Sequence, residues 1–595
     1  MTHRGYIGQV FEVRPVLAAM EDRGMPIDDD ARLKLDAEFE AAQREMLAKI
    51  QAQVPKGIGR VQPKDGYKGV NGRRPPEVQE WISARYTSTF DYGPEGFPIE
   101  QIYGVTFKDS GDDGESYHYE QRPFSVPIVD ADSGEPTLTQ MTRWCRVYDF
   151  NPNSRNQVIS YMKAKGHPIP KDKHREDAEG NNPDTTNEKE LRRLANKTGD
   201  LFYIDVIEYR GLTKLRGTYV EGFKPGADGF VHPTFTFDTG IGQLTSRNPN
   251  SQNFPKLKPT VALATALRAI VCAKSRKIIT EWDWKSCHVI TLGFLAEDLQ
   301  YMRLGRLDIH SFVAGHFLNL WDGAAIVSLP DEALIQKFKW LKSDPVRKRV
   351  RDDQAKHGIL GIGNGLKAKG LFDRYMESFP PKPCECGTGK VQGLRGLKNC
   401  PECYGTRFIP GSRIAERVLD VCQKLFPKVF EFQRREVRVA HDQQYLKSAF
   451  GHIRRFYEVF RWDHRKSDWG HGDQHEEAVA YRLANFAHAQ MRLTMKELAN
   501  RGLAEKYGMY NQIHDALQFH FDESLLEEHV AEVFPVMTAP SPIMVHPTIC
   551  PQGLSFGVEA SWGYRWSQMQ EISLPKSISQ SIIPAAIEEA THATT

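Results

Sequence analysis

Lys277-Ile-Ile-Thr-Glu-Trp-Asp-Trp-Lys-Ser-Cys-His288 opens as an apolar run short enough for one strand, ends on Asp283, and passes into a helical pattern. An Asp at such a corner is most often a cap or turn residue. A second acidic position has a comparable setting: in Gln512-Ile-His-Asp-Ala-Leu-Gln-Phe519, Asp515 falls at the turn of a predicted β-hairpin. Nucleotidyl transfer requires divalent ions that clamp the attacking hydroxyl and the leaving pyrophosphate, so it requires carboxylates brought together at strand ends. Asp283 and Asp515 have the right context for that chemistry, and spacing alone does not show that they meet.

Between them lies Ala355-Lys-His-Gly-Ile-Leu-Gly-Ile-Gly-Asn-Gly-Leu-Lys367. Lys356, Leu360 and Asn364 recur every four residues and share one helix face, offering a cation for a triphosphate beside an apolar and a polar group. An ordinary amphipathic helix with an exposed Lys is the plainer reading. Gly358, Gly361, Gly363 and Gly365 strain it, because each costs about 1 kcal/mol against Ala in a helix interior and implies close approach by a neighbour.

The whole chain of 595 residues, 40% hydrophobic and 26% charged, has the composition of a globular protein of several domains. Its formal net charge of +2 means that any nucleic-acid surface must come from local clusters. One cluster runs from Lys337 through Lys342, Arg347, Lys348, Arg349 and Arg351 to Lys356, and another from Lys56 to Arg74. No signal-peptide pattern opens the sequence and no run is apolar enough to span a bilayer, so a cytoplasmic location and no membrane partner are expected. Nine cysteines, four of them tightly grouped, fit a reducing compartment better than a disulfide framework.

Helical patterning covers residues 10–55, and residues 56–145 change to short β-like runs separated by Gly, Pro and Asp, which suggests an inserted β-rich lobe. Helices return over 156–223, a strand pattern over 230–237, a long helical block to about 440, and a long helix over 474–502. The polar tail after Trp566 is expected to be disordered.

These segments, in this order, resemble motifs A, B and C of the family A (DNA polymerase I-like) DNA polymerases, whose patterns are approximately DYSQIELR, RxxxKxxxFGxxYG and QVHDELVFE. Further segments that look like the family are Phe150-Asn-Pro-Asn-Ser154, Glu208-Tyr-Arg-Gly-Leu-Thr-Lys-Leu-Arg-Gly-Thr-Tyr-Val220, Gln243-Leu-Thr-Ser-Arg-Asn-Pro-Asn-Ser-Gln-Asn-Phe-Pro255, Asp308-Ile-His310, Trp562 and Arg14 to Asp28. The resemblance implies an α+β right-hand fold, with a palm antiparallel sheet, helical fingers and a helical thumb. It divides the chain into an N-terminal helical segment (1–55), the insertion (56–145), thumb (146–225), palm (226–335), fingers (336–440), palm (441–566) and tail (567–595). It also implies template-directed, primer-dependent DNA synthesis with two catalytic Mg²⁺ ions, and primer-template DNA and dNTPs as partners. Asp283 and Asp515, with the carbonyl of Trp284, would hold the metal, and Lys356 would assist catalysis. His310, Lys356, Leu360, Asn364 and His288 would contact the dNTP. Lys214, Thr218, Tyr219, Gln243, Asn250, Gln252, Asn253, Asn485 and His514 would hold primer or template.

The pattern has departures. The motif A Glu is His288 and the motif B Tyr is Asn364, two positions that together exclude a ribose 2′ hydroxyl in the family, so an altered sugar gate is expected. The family Arg one turn before the motif B Lys falls on Asp352, and either Arg351 or Arg349 can replace it; the motif C Glu is Ala516, and the primer-side Arg is Gln243. The chain starts where the family's proofreading exonuclease domain would end. Asp36-Ala-Glu38 has the right residue types for such a site, but sits in a helical pattern. A bacteriophage replication enzyme is the expectation from this architecture, working with a separate exonuclease, a helicase or a sliding clamp. Gln570-Glu-Ile-Ser-Leu-Pro575 faintly resembles a clamp-binding peptide. Competing readings are a single-subunit RNA polymerase or primer-making enzyme, and a non-catalytic nucleic-acid-binding replication factor.

Cys384, Cys386, Cys400 and Cys403 form two close pairs in a Gly-rich loop within residues 381–410. Four thiolates in two knuckles suit a tetrahedral structural Zn²⁺, although Cys-x-Cys is tighter than the usual Cys-x₂-Cys.

Overall fold

A computed structural model of the chain describes residues 3–54, 60–62, 104–108, 116–129, 136–148, 150–172, 181–237, 239–255, 262–321, 323–393, 396–463 and 467–575. Backbone contacts divide it into two units, Met1–Leu35 with Thr218–Thr595, and Asp36–Gly217. The boundaries fall within helical stretches and group the β-rich segment with the helices that follow it. Two helices open the chain, α1 (His3–Arg23) and α2 (Asp29–Gln53). Gly24 between them has φ +69° and its α-carbon lies against His232 and Phe230, which accounts for the Arg23-Gly24-Met25-Pro26 turn.

In the unit Asp36–Gly217, strands β1 (Arg60–Gln62), β2 (Gly104–Lys108), β3 (Ser116–Val129) and β4 (Pro136–Tyr148) form an antiparallel sheet of order β1-β4-β3-β2. Helices α3 (Arg155–Ala164), α4 (Glu188–Thr198) and α5 (Phe202–Leu215) pack around Phe150, Tyr161, Leu191, Phe202, Tyr203 and Val206. Ser154 and Asn187 cap α3 and α4, each side chain accepting a hydrogen bond from an amide of the first turn. Asp36, the residue that sequence alone offered as a weak exonuclease candidate, lies on α2 and accepts from Arg216 Nε at 2.7 Å.

The other unit is built on a five-stranded antiparallel sheet. Its central strand β5 (Lys277–Trp284) is the opening stretch of sequence. Alternation along it buries Trp282 and Trp284 on one face, where Trp282 Nε1 donates to His529 Nε2 at 2.8 Å and Trp284 Nε1 donates to the Met537 carbonyl at 2.8 Å. Asp283, between them, therefore points the other way. Strands β12 (Met509–Ile513) and β13 (Ala516–Asp522) form the predicted hairpin, β13 lies beside β5, and β14 (Val558–Gly563) flanks β5 on its other side.

The tail departs from expectation at its beginning: β15 (Gln570–Glu571) pairs with β14, Ile572 N–H donates to the Ala560 carbonyl, and Ile572 and Leu574 pack on the core under the sheet. The apolar residues of the suggested clamp-binding peptide are thus spent on the sheet edge, and residues 576–595 lie outside those described. The strand expected over 230–237 is broken at His232-Pro233 into two short pieces, since Pro lacks a ladder N–H.

Helices α6 (Cys287–Leu295), α7 (Ile309–Phe317), α8 (Lys356–Gly363), α9 (Gly411–Leu425) and α10 (Pro427–Gln443) share a second core around Phe312, Phe338, Ile359, Val418 and Phe426. The long helix α11 (His475–Asn500) contributes Leu483 to that core and Phe486, Ala487, Met491 and Met495 to the core under the sheet. Two short antiparallel ladders, β6 (Lys382–Pro383) with β9 (Phe408–Ile409) and β7 (Lys390–Gly393) with β8 (Gly396–Asn399), form the cysteine ribbon. A further hairpin joins β10 (Phe460–Asp463) and β11 (Asp468–His471), and α12 (Leu526–Met537) covers the buried face of the sheet. No helix among the described residues is long and apolar enough to cross a membrane.

Candidate active site

The strand pairing brings the two acidic residues together. Ala516 faces Asp283 across β13 and β5, and the Trp284 N–H donates to the Asp515 carbonyl at 3.2 Å. The Asp283 side chain reaches solvent, yet its surroundings are crowded. That desolvation, followed by the charge of Asp515 and then those of Glu281 and Glu559, pushes its carboxyl up to about 8. Carboxylates crowded together in this way favour a cation between them. Glu559, in register with Asp283 on β14 and held by Lys285 at 3.2 Å, was missed by sequence reasoning. Its only sequence signal is its place between the inward-facing Val558 and Ala560.

The turn of helix that precedes α8 sets the spacing of Arg349 and Arg351 to Lys356. Val350–Ala355 winds as a π-helix, and the Lys356 N–H donates to the Arg351 carbonyl, a five-residue step. The wider turn brings Arg351 as well as Asp352 to the side of Lys356: all three act on His310, and Arg351 Nη1 also pairs with Asp352 at 2.5 Å. Arg351 forms a forked pair with Asp308, Nη2 to Oδ1 at 2.9 Å and Nε to Oδ2 at 3.1 Å, and Lys342 reaches the same carboxylate at 3.2 Å. Burial opposes ionisation of Asp308, but Arg351 and the Ser311 amide and hydroxyl outweigh it and hold the carboxyl below its usual range. His310, next along α7, is pushed down to about 4 mainly by burial, and its Nδ1 is buried without a partner. Arg349 is exposed and bonded to Asp353.

Leu360 and Asn364 line a cavity of about 330 Å³ with His288, His488, His514 and Gln243. Asn364, at the C-terminal cap of α8, donates its amide to the Leu360 carbonyl at 2.8 Å. His514, at φ +55° in the hairpin turn, meets Gln243 Nε2 at 3.0 Å. The His288 and His488 rings lie 6.0 Å apart, and burial first, then neighbouring charges, lowers the His488 imidazole well below its usual range. His488 was not anticipated; it sits three residues after Asn485 on α11, and only the helical period could have pointed to it.

Other residues expected at primer or template are occupied internally. Asn485 is fully buried and donates to the Ile241 carbonyl at 2.8 Å, and Gln252 is buried against the backbone and side chain of Gln512 at 2.8 and 2.9 Å. Asn250 accepts from the Gln252 amide at 3.1 Å, and the Tyr219 hydroxyl donates to the Asn253 carbonyl. These groups fix the loop 241–253 onto the hairpin. Thr218 is partly exposed, and Lys214 is exposed on α5 in the other unit.

The four ribbon thiols converge, all Sγ atoms lying within 4.8 Å of one another, with Cys384 to Cys400 at 3.7 Å and Cys386 to Cys403 at 3.5 Å. Backbone N–H groups of Cys403 and Glu402 bring the Cys400 thiol down to about 7.

Residues 136–323 match the sequence model of DNA polymerase family A. DNA polymerase I of Treponema pallidum is 29% identical over 254 residues, covering 39% of this chain and 22% of that protein. The thermostable DNA polymerase I of Thermus aquaticus is 26% identical over 286 residues, covering 41% and 31%. The chain thus matches less than a third of the length of these curated relatives. A solved structure, the POL domain of Pol1 from M. smegmatis in complex with DNA primer-template and dNTP, superposes with a TM-score of 0.57 at 17% identity, covering 94% of this chain and 70% of that one. The mixed helix-and-sheet architecture is that of a right-hand polymerase fold, and residues 136–323 are similar to DNA polymerase family A.

Proposed function

We propose that this chain is a DNA-directed DNA polymerase, extending a primer on a template by metal-assisted nucleotidyl transfer from dNTPs in DNA replication. The observation that carries the proposal is the meeting of Asp283, at the end of β5, with Asp515, in the turn of the adjoining hairpin, with Asp283 driven up to about 8. A divalent cation would relieve that repulsion, and Asp283, Asp515 and the Trp284 carbonyl are the groups to hold it. Mg²⁺ at that position would supply charge neutralisation for the attacking and leaving oxygens. Lys356 and Arg351, on one side of the finger helix, suit the triphosphate, with His310 beside them as a neutral donor. Leu360 and Asn364 form the wall of the insertion pocket. Asn485, Gln252 and Asn250 act by fixing the loop that carries Gln243, and Gln243 with His514 faces the primer end. Tyr219 likewise acts by holding that loop through the Asn253 carbonyl, while Thr218, and separately Lys214 in the other unit, are assigned to the duplex backbone, where contacts fix register without reading sequence.

His288 and Asn364 stand where the family has its sugar gate, and both line the insertion pocket. We infer a gate that still prefers deoxyribose but differs in shape. The thiol cluster suits structural zinc: a tetrahedral ion at about 2.3 Å from each sulfur places the sulfurs about 3.8 Å apart, close to the two contacts observed. All four positions are protein ligands, so the ion is structural.

Primer extension on a templated duplex with Mg²⁺ tests the assignment. Wild type should extend with dNTPs well above rNTPs, and Asp283→Ala and Asp515→Ala should each lose on the order of a thousandfold or more. Extension with rNTPs alone would favour an RNA-making enzyme. DNA binding without extension by either would favour a non-catalytic factor.

A further inference from the structure

We propose that a second cavity, of about 890 Å³ and bounded by α8, α9, α10 and the β10–β11 hairpin, holds unpaired template bases ahead of the insertion pocket, stacked beside Trp469 and Trp462. The site rests on the polymerase reading above. Trp462 and Trp469 face each other across the hairpin in register, with ring centroids 5.6 Å apart, and are 39% and 61% exposed. Such exposed indoles contribute little to a core and offer faces to a ligand. Behind Trp469, the His471 and His475 rings stack at 3.3 Å and 15°, and Phe460 meets His475 edge-on at 5.6 Å. Burial lowers both imidazoles, His475 to about 4, so they are neutral flat surfaces at physiological pH.

The charges around the cavity select a mode of binding. Lys367, Arg434 and Arg438 are balanced by Glu416, Asp420 and Asp442 among the lining residues. A lining without net charge, rich in aromatic faces, suits the π-faces of bases more than the phosphates of a duplex, and stacking tolerates any sequence.

Placement supplies the link to the template. Ile362, Gly365 and Val479 line this cavity, whereas Gly363, Asn364 and Ala480 line the insertion pocket. Neighbouring residues of the same two segments thus divide the two spaces. Gly365 sits at φ +67° with its α-carbon pressed on Val479, where a Cβ would come within 2.9 Å, which keeps that partition thin. A template strand leaving the insertion pocket unpaired would enter the cavity that Trp469 lines, with Trp462 beside Trp469 on the hairpin.

The test is equilibrium binding of primer-template duplexes with a template 5′ overhang of one or of six nucleotides, for wild type and Trp462→Ala/Trp469→Ala. Wild type should bind the long overhang roughly tenfold more tightly, the effect of stacking one or two bases. The double variant should lose that gain and keep wild-type affinity for the short overhang, which also reports that it is folded. An abasic long overhang should behave as the short one. Equal gain in both proteins, a gain kept by the abasic overhang, or no gain in wild type would each overturn the proposal, the last leaving the cavity to a peptide or a small molecule. Single-nucleotide extension on the short overhang reads the polymerase assignment separately: normal extension without an overhang gain sinks only this site, and an overhang gain without extension sinks only that assignment.

Discussion

Arg351 and Lys356 present two cations to the same side of the finger helix because the Lys356 N–H reaches back five residues instead of four. Reading the sequence with a uniform helical period put Asp352 in that place and left Arg351 and Arg349 as equal substitutes. No residue type announces a π turn, so the choice was not legible there, whereas the strand end at Asp283 and the hairpin turn at Asp515 were. The forked pair with Asp308 holds the Arg351 guanidinium in one orientation, so Asp308 is a positioning residue. Arg351→Ala should raise the dNTP KM by about tenfold or more, the equivalent of one lost charge-assisted hydrogen bond, with a smaller fall in kcat. Asp308→Asn should give a smaller change in the same direction, and Arg349→Ala should leave KM unchanged. Single-nucleotide incorporation kinetics separate the three, and an Arg349 effect equal to that of Arg351 would contradict the register assigned to the π turn.

The glycines of α8 and the cysteines of the ribbon were both conspicuous in the sequence, and both are explained at the level of elements. The glycines predicted close approach, and the neighbours are protein: a Cβ at Gly358 would meet Val418 at 2.4 Å on α9, and one at Gly361 would meet Leu371 at 2.8 Å. Helix α8 therefore lies directly on its neighbours, with only small residues between. Gly358→Ala gains helix propensity of about 1 kcal/mol, but overpacking costs typically 1–3 kcal/mol, so a net loss of stability is expected and thermal denaturation measures it. The ribbon depends instead on what its thiols bind. Its two short ladders leave Leu397, Tyr404 and Phe408 exposed and cannot form a core of their own. The purified protein should contain one equivalent of zinc by elemental analysis. Chelation, or Cys403→Ser, should increase protease cutting within residues 381–410, while a metal-free protein with an equally protected ribbon would exclude a structural ion. Cysteine spacing made this site readable because metal ligation is nearly local in sequence.

At the scale of the molecule the palm sheet draws its strands from distant parts of the chain: β5 at residues 277–284, the hairpin at 509–522 and β14 at 558–563. Their antiparallel order, and hence the meeting of Asp283 with Asp515, is a long-range pairing that periodicity could not supply; only the family resemblance anticipated it. The same long-range packing buries His529 completely beneath β5. Its Nε2 accepts from Trp282 Nε1 at 2.8 Å, the Thr280 hydroxyl is 3.1 Å away, and the rings of Tyr507, Phe519 and Phe521 surround it. Burial pushes this imidazole down to about 3. The folded chain then binds no proton at His529 while the unfolded chain binds one below the ordinary pKa of about 6.5. The contribution to stability is accordingly full above about pH 6.5 and lost progressively as pH falls toward 3. Between pH 6.5 and 4 the loss amounts to about 3 kcal/mol, from roughly 1.4 kcal/mol per pH unit. His529→Gln keeps an acceptor for Trp282 but does not titrate, so its melting temperature should lie below wild type at pH 7 and converge with it, or cross it, by pH 4. Carboxylates titrate in both proteins over this range and cancel in the comparison. Parallel curves from pH 7 to pH 4 would mean that His529 is protonated as readily in the folded chain as in the unfolded one, which an Nε2 that accepts from Trp282 Nε1 does not permit.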